Sequence, residues 1–257
     1  MNRFMKIEKI RMNLQAGQSS IGSWMQIPNS SVAEIMGQAG YDWVAIDLEH
    51  GAISVHQLPS LFRALELGNT LPLVRVAEGS KKDCQQAMDA GAGGIIVPLV
   101  ESPEQLKIAR DSSRWPPSGS RGVGFSRANS FGKNFTHYFS EAQAPLLIAM
   151  IESSLGLQNI DGILEIGGLD AIFIGPYDLS ASLGDPGNFE SDEFKEAMTY
   201  INEKCKLMNI ACGLHVVLPD PNEFKRRLSE GYRFIAYSID SVFLNTFSLN
   251  PHEKSKS

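Results

Sequence analysis

The stretch Trp43–Gly51, with the sequence WVAIDLEHG, decides how the rest of the chain can fold. Its first half is an apolar run without alternation, which is typical of a strand buried on both faces of a parallel sheet. Polar groups are costly inside such a sheet, so Asp47, Glu49 and His50 are expected at or just beyond the carboxyl end of the strand. Ligands bind at that end in open α/β sheets and in (β/α)8 barrels. The alternative is a solvated loop in which one carboxylate caps the next helix.

Seven other apolar runs resemble this strand, and helical patterns alternate with them. The predicted strands cover residues 20–27, 71–76, 94–100, 146–151, 171–175, 211–217 and 232–238, besides the stretch above. The predicted helices cover residues 6–16, about 30–40, 55–67, 81–90, 102–112, 155–166, 191–208, 221–229 and 240–248. Eight βα units of roughly 25 residues predict an α/β fold, a (β/α)8 TIM barrel, built as a single domain from residues 1–257.

One long connection interrupts this regular pattern. A segment rich in Gly, Ser, Pro and Arg runs from Trp115 to about Tyr138. A connection of roughly 20 residues or more without regular structure is unusual inside a compact domain and often marks a lid or a binding loop. We therefore predict such a loop here, with Arg121 and Arg127 as candidates for contact with a substrate.

The composition restricts the class of protein. The chain has 257 residues and a formal charge of −6, and this mild acidity argues against nucleic acid and anionic membranes as partners. Its three cysteines, Cys84, Cys205 and Cys212, are odd in number and lack CxxC spacing, so reduced thiols in a cytoplasmic protein are expected. The N-terminal residues lack the apolar core of a signal peptide, and no apolar run is long enough to span a membrane.

Two carboxylates follow different predicted strands. Glu152 comes after the fifth strand and Asp178 after the sixth. Because the carboxyl ends of parallel strands meet at one rim of a barrel, both side chains are expected at that rim. Two hard oxygen ligands without Cys or paired His suit Mg²⁺ or Mn²⁺ that keeps several waters. The alternative is that each carboxylate caps the helix or turn that follows it.

Arg75 and His50 are the other candidates for chemistry. Arg75 lies within an apolar strand, where an unpaired guanidinium is very unfavourable, so it needs Asp47, Glu49 or the carboxylate of a substrate as its partner. His50, together with Asp47 or Asp89, resembles a base whose tautomer is set by an acidic group. His215 lies within the seventh strand, and we expect it to pack inside the barrel rather than to bind a ligand.

The ordered set of motifs resembles the HpcH/HpaI family of metal-dependent 2-oxo acid aldolases over about residues 15–240. The motifs that carry the resemblance are 40–43, 47–51, 73–76, 89–92, 95–98, 116–122, 151–153 and 170–180. The resemblance implies a barrel of the phosphoenolpyruvate/pyruvate type and a class II aldehyde-lyase. Such an enzyme reversibly cleaves a 4-hydroxy-2-oxo acid to pyruvate, or a related 2-oxo acid, and an aldehyde.

The resemblance also implies roles for individual residues. It places a divalent metal on Glu152 and Asp178, with Mg²⁺ or Mn²⁺ ahead of Co²⁺ or Zn²⁺. It makes His50 the base, paired with Asp89, and puts Arg75 beside the oxo-acid end of the substrate. The remaining substrate contacts are Gly175, Pro176, Tyr177, Arg121 and Arg127, and the supporting residues behind them are Asp47 and Glu49. It further implies a homo-oligomer, a trimer or a hexamer of two trimers, in which the C-terminal helix packs on a neighbouring subunit.

One position departs from the family pattern. The family commonly has Gln two residues before the metal-binding Glu, whereas this chain has Met150. A thioether cannot donate a hydrogen bond, so the substrate is expected to be oriented differently. Two alternatives to the aldolase remain open: a related lyase acting on a 3-hydroxyacyl thioester or another oxo-acid donor, and a ligand-binding barrel without turnover.

Overall fold

Eight parallel strands close into a barrel in the order of the chain, and the last strand pairs with the first. The computed structural model describes residues 2–250 and 252. The strands are β1 (Ser20–Met25), β2 (Trp43–Asp47), β3 (Leu71–Arg75), β4 (Gly94–Val97), β5 (Leu146–Ile151), β6 (Ala171–Ile174), β7 (Ala211–Val216) and β8 (Phe234–Ile239). The predicted (β/α)8 TIM barrel is confirmed, and every predicted strand is present.

Helices surround the barrel between successive strands. They are α1 (Arg3–Gln15), α2 (Ser30–Gln38), α3 (Leu58–Leu67), α4 (Lys81–Ala90), α5 (Pro103–Ser113), α6 (Phe135–Gln143), α7 (Ser154–Gln158), α8 (Ile160–Leu164), α9 (Pro176–Ser182), α10 (Asp192–Leu207), α11 (Pro221–Ser229) and α12 (Asp240–Phe247). The long segment predicted as a loop therefore ends in a helix, α6. The helix predicted over 155–166 is broken at Asn159, whose side chain donates to the carbonyl of Glu101 at 2.7 Å.

Helix α9 is a further element that the sequence analysis did not predict. It has 7 residues and begins with Pro176 immediately after β6. Proline is favoured in the first turn of a helix because its missing N–H would have no partner there. A helix this short shows little apolar periodicity, which is why the pattern alone did not reveal it.

Alternation along the strands decides which side chains reach the interior of the barrel. Trp43 and Ala45 of β2 belong to the interior apolar cluster, whereas Val44 and Ile46, which alternate with them, pack under the outer helices. Asp47 continues the inward-facing set because side chains of a strand repeat every two residues. The parallel register pairs Asp47 with Arg75, the last residue of β3, so both strands end with a charged residue at the same level.

Helix α1 closes the end of the barrel at which the strands begin. Its buried Ile7, Ile10 and Leu14 join the interior apolar cluster. Arg11 of this helix bonds Asp170, which immediately precedes β6. The barrel is therefore filled and closed at this end, which leaves the opposite rim for a site. Within the described part of the chain, we find no helix with the length and apolar content needed to cross a bilayer.

Candidate active site

A cavity of about 170 Å³ opens at the carboxyl ends of the strands. It is lined by groups from β1, β3, β5, β6 and β7 and from the connections that follow β2 and β6. It gathers most of the residues that the sequence singled out: His50, Arg75, Glu152, Gly175, Pro176, Tyr177 and Asp178. Asp47 and Glu49 lie beside the cavity, where both bind Arg75.

The guanidinium of Arg75 is held by two carboxylates. Its Nε and Nη2 donate to the two oxygens of Asp47 at 2.8 and 2.6 Å, and its Nη1 lies 2.8 Å from Oε2 of Glu49. Burial opposes ionisation of Asp47, but the hydrogen bonds and charge of Arg75 hold the pKa of that carboxyl below its ordinary value. The ring of Trp24 supports the guanidinium from one side, 5.2 Å from Cζ to the ring centroid. Arg75 is therefore fixed in place by its own chain.

Glu152 is a buried carboxylate with one oxygen bonded and one directed toward β6. Its Oε1 accepts a hydrogen bond from the backbone N–H of Leu99 at 2.6 Å. Its Oε2 occupies the space that a Cβ at position 175 would fill, so only glycine fits there. Burial raises the pKa of Glu152 to about 7, and the charges of Glu49 and Asp178 act in the same direction.

The donor set fits a hard divalent cation. Asp178 lies in the first turn of α9 and lines the same cavity as Glu152. Among residues 2–250 and 252, no three His, Cys, Asp or Glu side chains are grouped closely enough to hold a metal ion by themselves. Two carboxylates without a third side-chain ligand suit Mg²⁺ or Mn²⁺, because these ions keep waters and bind oxygen atoms of the substrate.

His50 lies at the open edge of the cavity. Its side chain is 61% exposed, and its Nε2 is 4.0 Å from Oε2 of Glu49. Its backbone N–H donates to Oδ1 of Asp47 at 3.2 Å, which fixes where the residue leaves β2. The ring can therefore meet a substrate that enters from solvent.

Within one chain, the topology separates His50 from Asp89. Asp89 is the penultimate residue of α4, and α4 leads back to the end at which the strands begin, so the predicted pairing of these two residues stays a prediction. A helix of 10 residues is about 15 Å long, so Asp89 and His50 lie at opposite ends of the barrel. Burial raises the pKa of Asp89, and the charge of Arg121 opposes that shift.

Arg121 and Arg127 are also absent from the set that lines this cavity. Arg121 is buried and donates from Nη2 to the hydroxyl of Tyr138 at 2.8 Å. Arg127 binds Glu66 at 2.5 Å and the carbonyl of Ala90 at 3.0 Å. Glu66 lies at the end of α3 and Ala90 at the end of α4, so both are near the end of the barrel at which the strands begin. The structure therefore does not bring these arginines to this cavity, and their contact with a substrate stays a prediction.

Three residues of the cavity whose side chains carry polar groups were not proposed as site residues from the sequence. Trp24 and Gln26 line it from the end of β1, and His215 lines it from β7. His215 also packs 5.3 Å from the ring of Trp24, so the expected packing role holds, although the residue faces the site as well. The signal that identifies all three is strand alternation, because each continues the inward-facing set of its strand.

The backbone contact of His215 decides its tautomer. Its Nε2 lies 3.0 Å from the carbonyl oxygen of Ser238, and a carbonyl can only accept, so Nε2 carries the proton. Burial, together with the nearby charge of Arg75, lowers the pKa of His215 to about 4. The ring is therefore neutral at physiological pH, and its Nδ1 has a free lone pair.

The profile of the HpcH/HpaI aldolase/citrate lyase family matches residues 20–245. That range runs from the first residue of β1 into α12 and so includes the whole barrel. The chain belongs to this family. The 2-keto-3-deoxy-L-rhamnonate aldolase of Salmonella gallinarum (strain 287/91 / NCTC 13346) is 36% identical over 232 residues, which are 89% of this chain and 86% of the relative.

Solved structures show the same relationship. A HpcH/HpaI aldolase/citrate lyase family protein from Burkholderia cenocepacia J2315 superposes with a TM-score of 0.89 at 30% identity and covers 97% of this chain and 99% of its own. The citrate synthase SbnG superposes with a TM-score of 0.82 at 29% identity, covering 96% of this chain and 97% of its own. The predicted family, fold and reaction class are confirmed: the chain is an aldolase-type lyase. Two solved structures with this fold, the citrate lyase beta subunit and the protein CitE of M. tuberculosis, each 17% identical to this chain, are themselves complexed with magnesium.

Proposed function

We propose that this lyase is a class II aldolase with a divalent cation held by Glu152 and Asp178, and that it cleaves a 4-hydroxy-2-oxo acid to pyruvate and an aldehyde. The observation that carries the proposal is the excess of carboxylates at the cavity. Arg75 is already shared by Asp47 and Glu49, so the charge of Glu152 and Asp178 needs a further cation. Oxygen donors favour Mg²⁺ or Mn²⁺, with Co²⁺ or Zn²⁺ as alternatives.

The substrate class follows from the similarity to a sugar-acid aldolase. The relative from Salmonella gallinarum is named for 2-keto-3-deoxy-L-rhamnonate. A 2-keto-3-deoxy sugar acid carries the 4-hydroxy-2-oxo group that aldol cleavage requires. We therefore propose a 2-keto-3-deoxy acid of this kind, or a close analogue, as the substrate of this chain.

The residues of the cavity divide the work of the reaction. When bound, the cation supplies Lewis-acid stabilisation of the negative charge that develops on the 2-oxo group. His50 takes the proton of the 4-hydroxyl, the C3–C4 bond breaks, and its electron pair is delocalised toward the 2-oxo carbonyl while the aldehyde leaves. Arg75 is held at the oxo-acid end by Asp47 and Glu49, where its fixed charge adds to the stabilisation.

The acidic partner of His50 is proposed to come from a second copy of the chain. Topology separates Asp89 from His50 within one chain, while the family resemblance implies that they act together. An oligomer in which one copy presents Asp89 to the site of the next satisfies both. Helix α12 supports an oligomer. Its apolar Leu244 is 53% exposed, whereas the residue of this helix that its own barrel buries is the charged Asp240. We propose that α12 packs on the neighbouring subunit.

The central test is Glu152→Ala, measured as exchange of the methyl protons of pyruvate for deuterium. We expect exchange to depend on added Mg²⁺ or Mn²⁺ in the wild type and to be abolished by EDTA and by this substitution, because both remove the site of Lewis-acid stabilisation. Undiminished exchange in the variant would rule out a metal role for Glu152.

The shared base is tested by His50→Ala and Asp89→Ala. Loss of the base should lower aldol cleavage by about 10²- to 10⁴-fold. If the pair forms between chains, mixing the two inactive variants and allowing subunits to exchange should restore part of the activity. The absence of recovery in confirmed mixed oligomers would contradict a pair shared between chains.

A further inference from the structure

The turn between β4 and α5, residues 98–101, meets the end of β5 beside the proposed metal carboxylate. The N–H of Leu99 donates to Oε1 of Glu152 at 2.6 Å, and the N–H of Val100 donates to the carbonyl of Met150 at 3.1 Å. Glu101 Oε1 accepts from the hydroxyl of Ser153 at 2.7 Å. The turn is therefore bonded to Glu152 and to the residues on both sides of it.

Leu99 has a backbone conformation that leucine rarely adopts. Its φ is +46°, in the left-handed region that favours glycine. Its side chain is 48% exposed, so packing does not explain the conformation. Strain of this kind persists only where surrounding contacts fix the backbone, and it is concentrated at functional sites. At this position the conformation directs the N–H of Leu99 at Glu152.

The side chain of Gln105 supplies the contacts that fix the turn. Its Nε2 donates to the carbonyl of Leu99 at 2.9 Å, and its Oε1 accepts from the N–H of Glu101 at 2.9 Å. One amide therefore bonds the backbone on both sides of Val100 and holds the strained residue. A hydrocarbon side chain of similar size could make neither bond.

We propose that Gln105 and the turn 98–101 form a positioning device for Glu152: Gln105 holds Leu99 in its left-handed conformation, and the N–H of Leu99 then orients the carboxylate for the cation. Oε1 is occupied by this hydrogen bond, which leaves Oε2, beside Gly175, available to the metal. The inference rests on the proposed metal role of Glu152. Gln105 is a positioning residue, because it touches neither substrate nor metal.

The test measures Mn²⁺ affinity by electron paramagnetic resonance titration, which requires no turnover. Wild type and Glu152→Ala are compared first, and equal Mn²⁺ binding by these two proteins would overturn the metal role of Glu152 itself. With that role established, Gln105→Leu should weaken Mn²⁺ binding by roughly tenfold, as is usual when a group that orients a metal ligand is removed. Unchanged affinity would overturn the positioning role alone.

Gln143→Leu is the matched control. The Gln143 amide bonds the backbone of another turn in the same way, accepting from the N–H of Ser118 at 3.2 Å and donating to the carbonyl of Pro116 at 3.2 Å. Both leucine variants should lower the unfolding temperature of the metal-free protein, but only Gln105→Leu should weaken Mn²⁺ binding. An equal loss of affinity in Gln143→Leu would show a general effect of lost turn bonds and would overturn the proposal.

Leu99→Gly tests whether conformation is the cause. Glycine adopts a positive φ readily and keeps the N–H, so this variant should bind Mn²⁺ within about threefold of the wild type. Added to Gln105→Leu, it should recover most of the lost affinity; a double variant no better than Gln105→Leu would overturn the mechanism. If Gln105→Leu does not fold, Gln105→Glu replaces it, because a carboxylate keeps the acceptor but cannot donate to Leu99.

Discussion

The two ends of the barrel contain the same charged residue types but use them differently. At the end where the strands begin, Arg3 binds Glu141 and the carbonyls of Gly91 and Ala128, so its donors meet acceptors of the same chain. At the opposite rim, carboxylates outnumber the cation that they share, which is Arg75. The type of residue therefore does not identify a site. The balance of charge and hydrogen bonding around it does, because an unbalanced set needs a ligand.

The sharpest way to break this comparison is to make the same substitution at both ends. Arg75→Lys should lower kcat/KM by about 10²- to 10³-fold, because a point charge cannot replace the planar fork at the site of charge development. Arg11→Lys, at the opposite end, loses contacts with Asp170 and Ala144, so it should lower the unfolding temperature while kcat/KM stays within about twofold. Steady-state kinetics and thermal unfolding of both variants distinguish the two ends. Equal kinetic losses would contradict the distinction.

The next test concerns the space between the Glu152 carboxylate and Gly175. Gly175→Ala places a methyl group where Oε2 of Glu152 lies, so the carboxylate must move. A displacement of this kind should lower kcat/KM by about 10²-fold and raise the Mn²⁺ concentration needed for activity. The control is Gly167→Ala, because a Cβ there meets nothing within 4 Å. Near-normal metal dependence in Gly175→Ala would mean that Oε2 is not a ligand.

The smallest expected effect concerns stability and pH. The pKa of His215 is about 4 in the folded chain, below its ordinary value of 6.5. Between these two pH values the unfolded chain therefore binds more protons than the folded chain. This residue should therefore cost the folded state about 2 kcal/mol between pH 6 and pH 4. Denaturant unfolding in EDTA should show that the free energy of unfolding falls less between pH 6 and pH 4 in His215→Gln than in the wild type, by that amount. Parallel pH profiles for the two proteins would contradict a neutral buried ring.

The sequence predicted the strands and the charged rim well, because both depend on local patterns. Asp47, Arg75 and Glu152 each end or follow an apolar run, the register pairs Asp47 with Arg75, and Arg75 and Glu152 line the same cavity. The metal ligands remain a prediction, as does the base. The resemblance assigns Glu152 and Asp178 to the metal and His50 to the base, and all three residues line one cavity.

The features that the sequence could not reveal have a common physical cause. Arg127 lies in a Gly-rich segment, but Glu66, to which it binds, is 61 positions away in the sequence. Asp89 lies near the end of α4, whose direction carries it away from His50 of the same chain. The turn at residues 98–101 left no sequence signal, because its function depends on the φ angle of Leu99 rather than on the residue type. Partners and directions of this kind become visible only in three dimensions.

Helix α1, which closes the end of the barrel at which the strands begin, also determines how reactants and products reach the site. Because the buried Ile7, Ile10 and Leu14 of α1 fill that end, reactants and products must all enter and leave through the opposite rim. The oxo acid, bound deepest on the proposed cation, is then the first reactant to enter in the condensation direction and the last product to depart in cleavage. We expect an ordered kinetic scheme in which pyruvate competes directly with the substrate for the free enzyme, whereas the aldehyde does not.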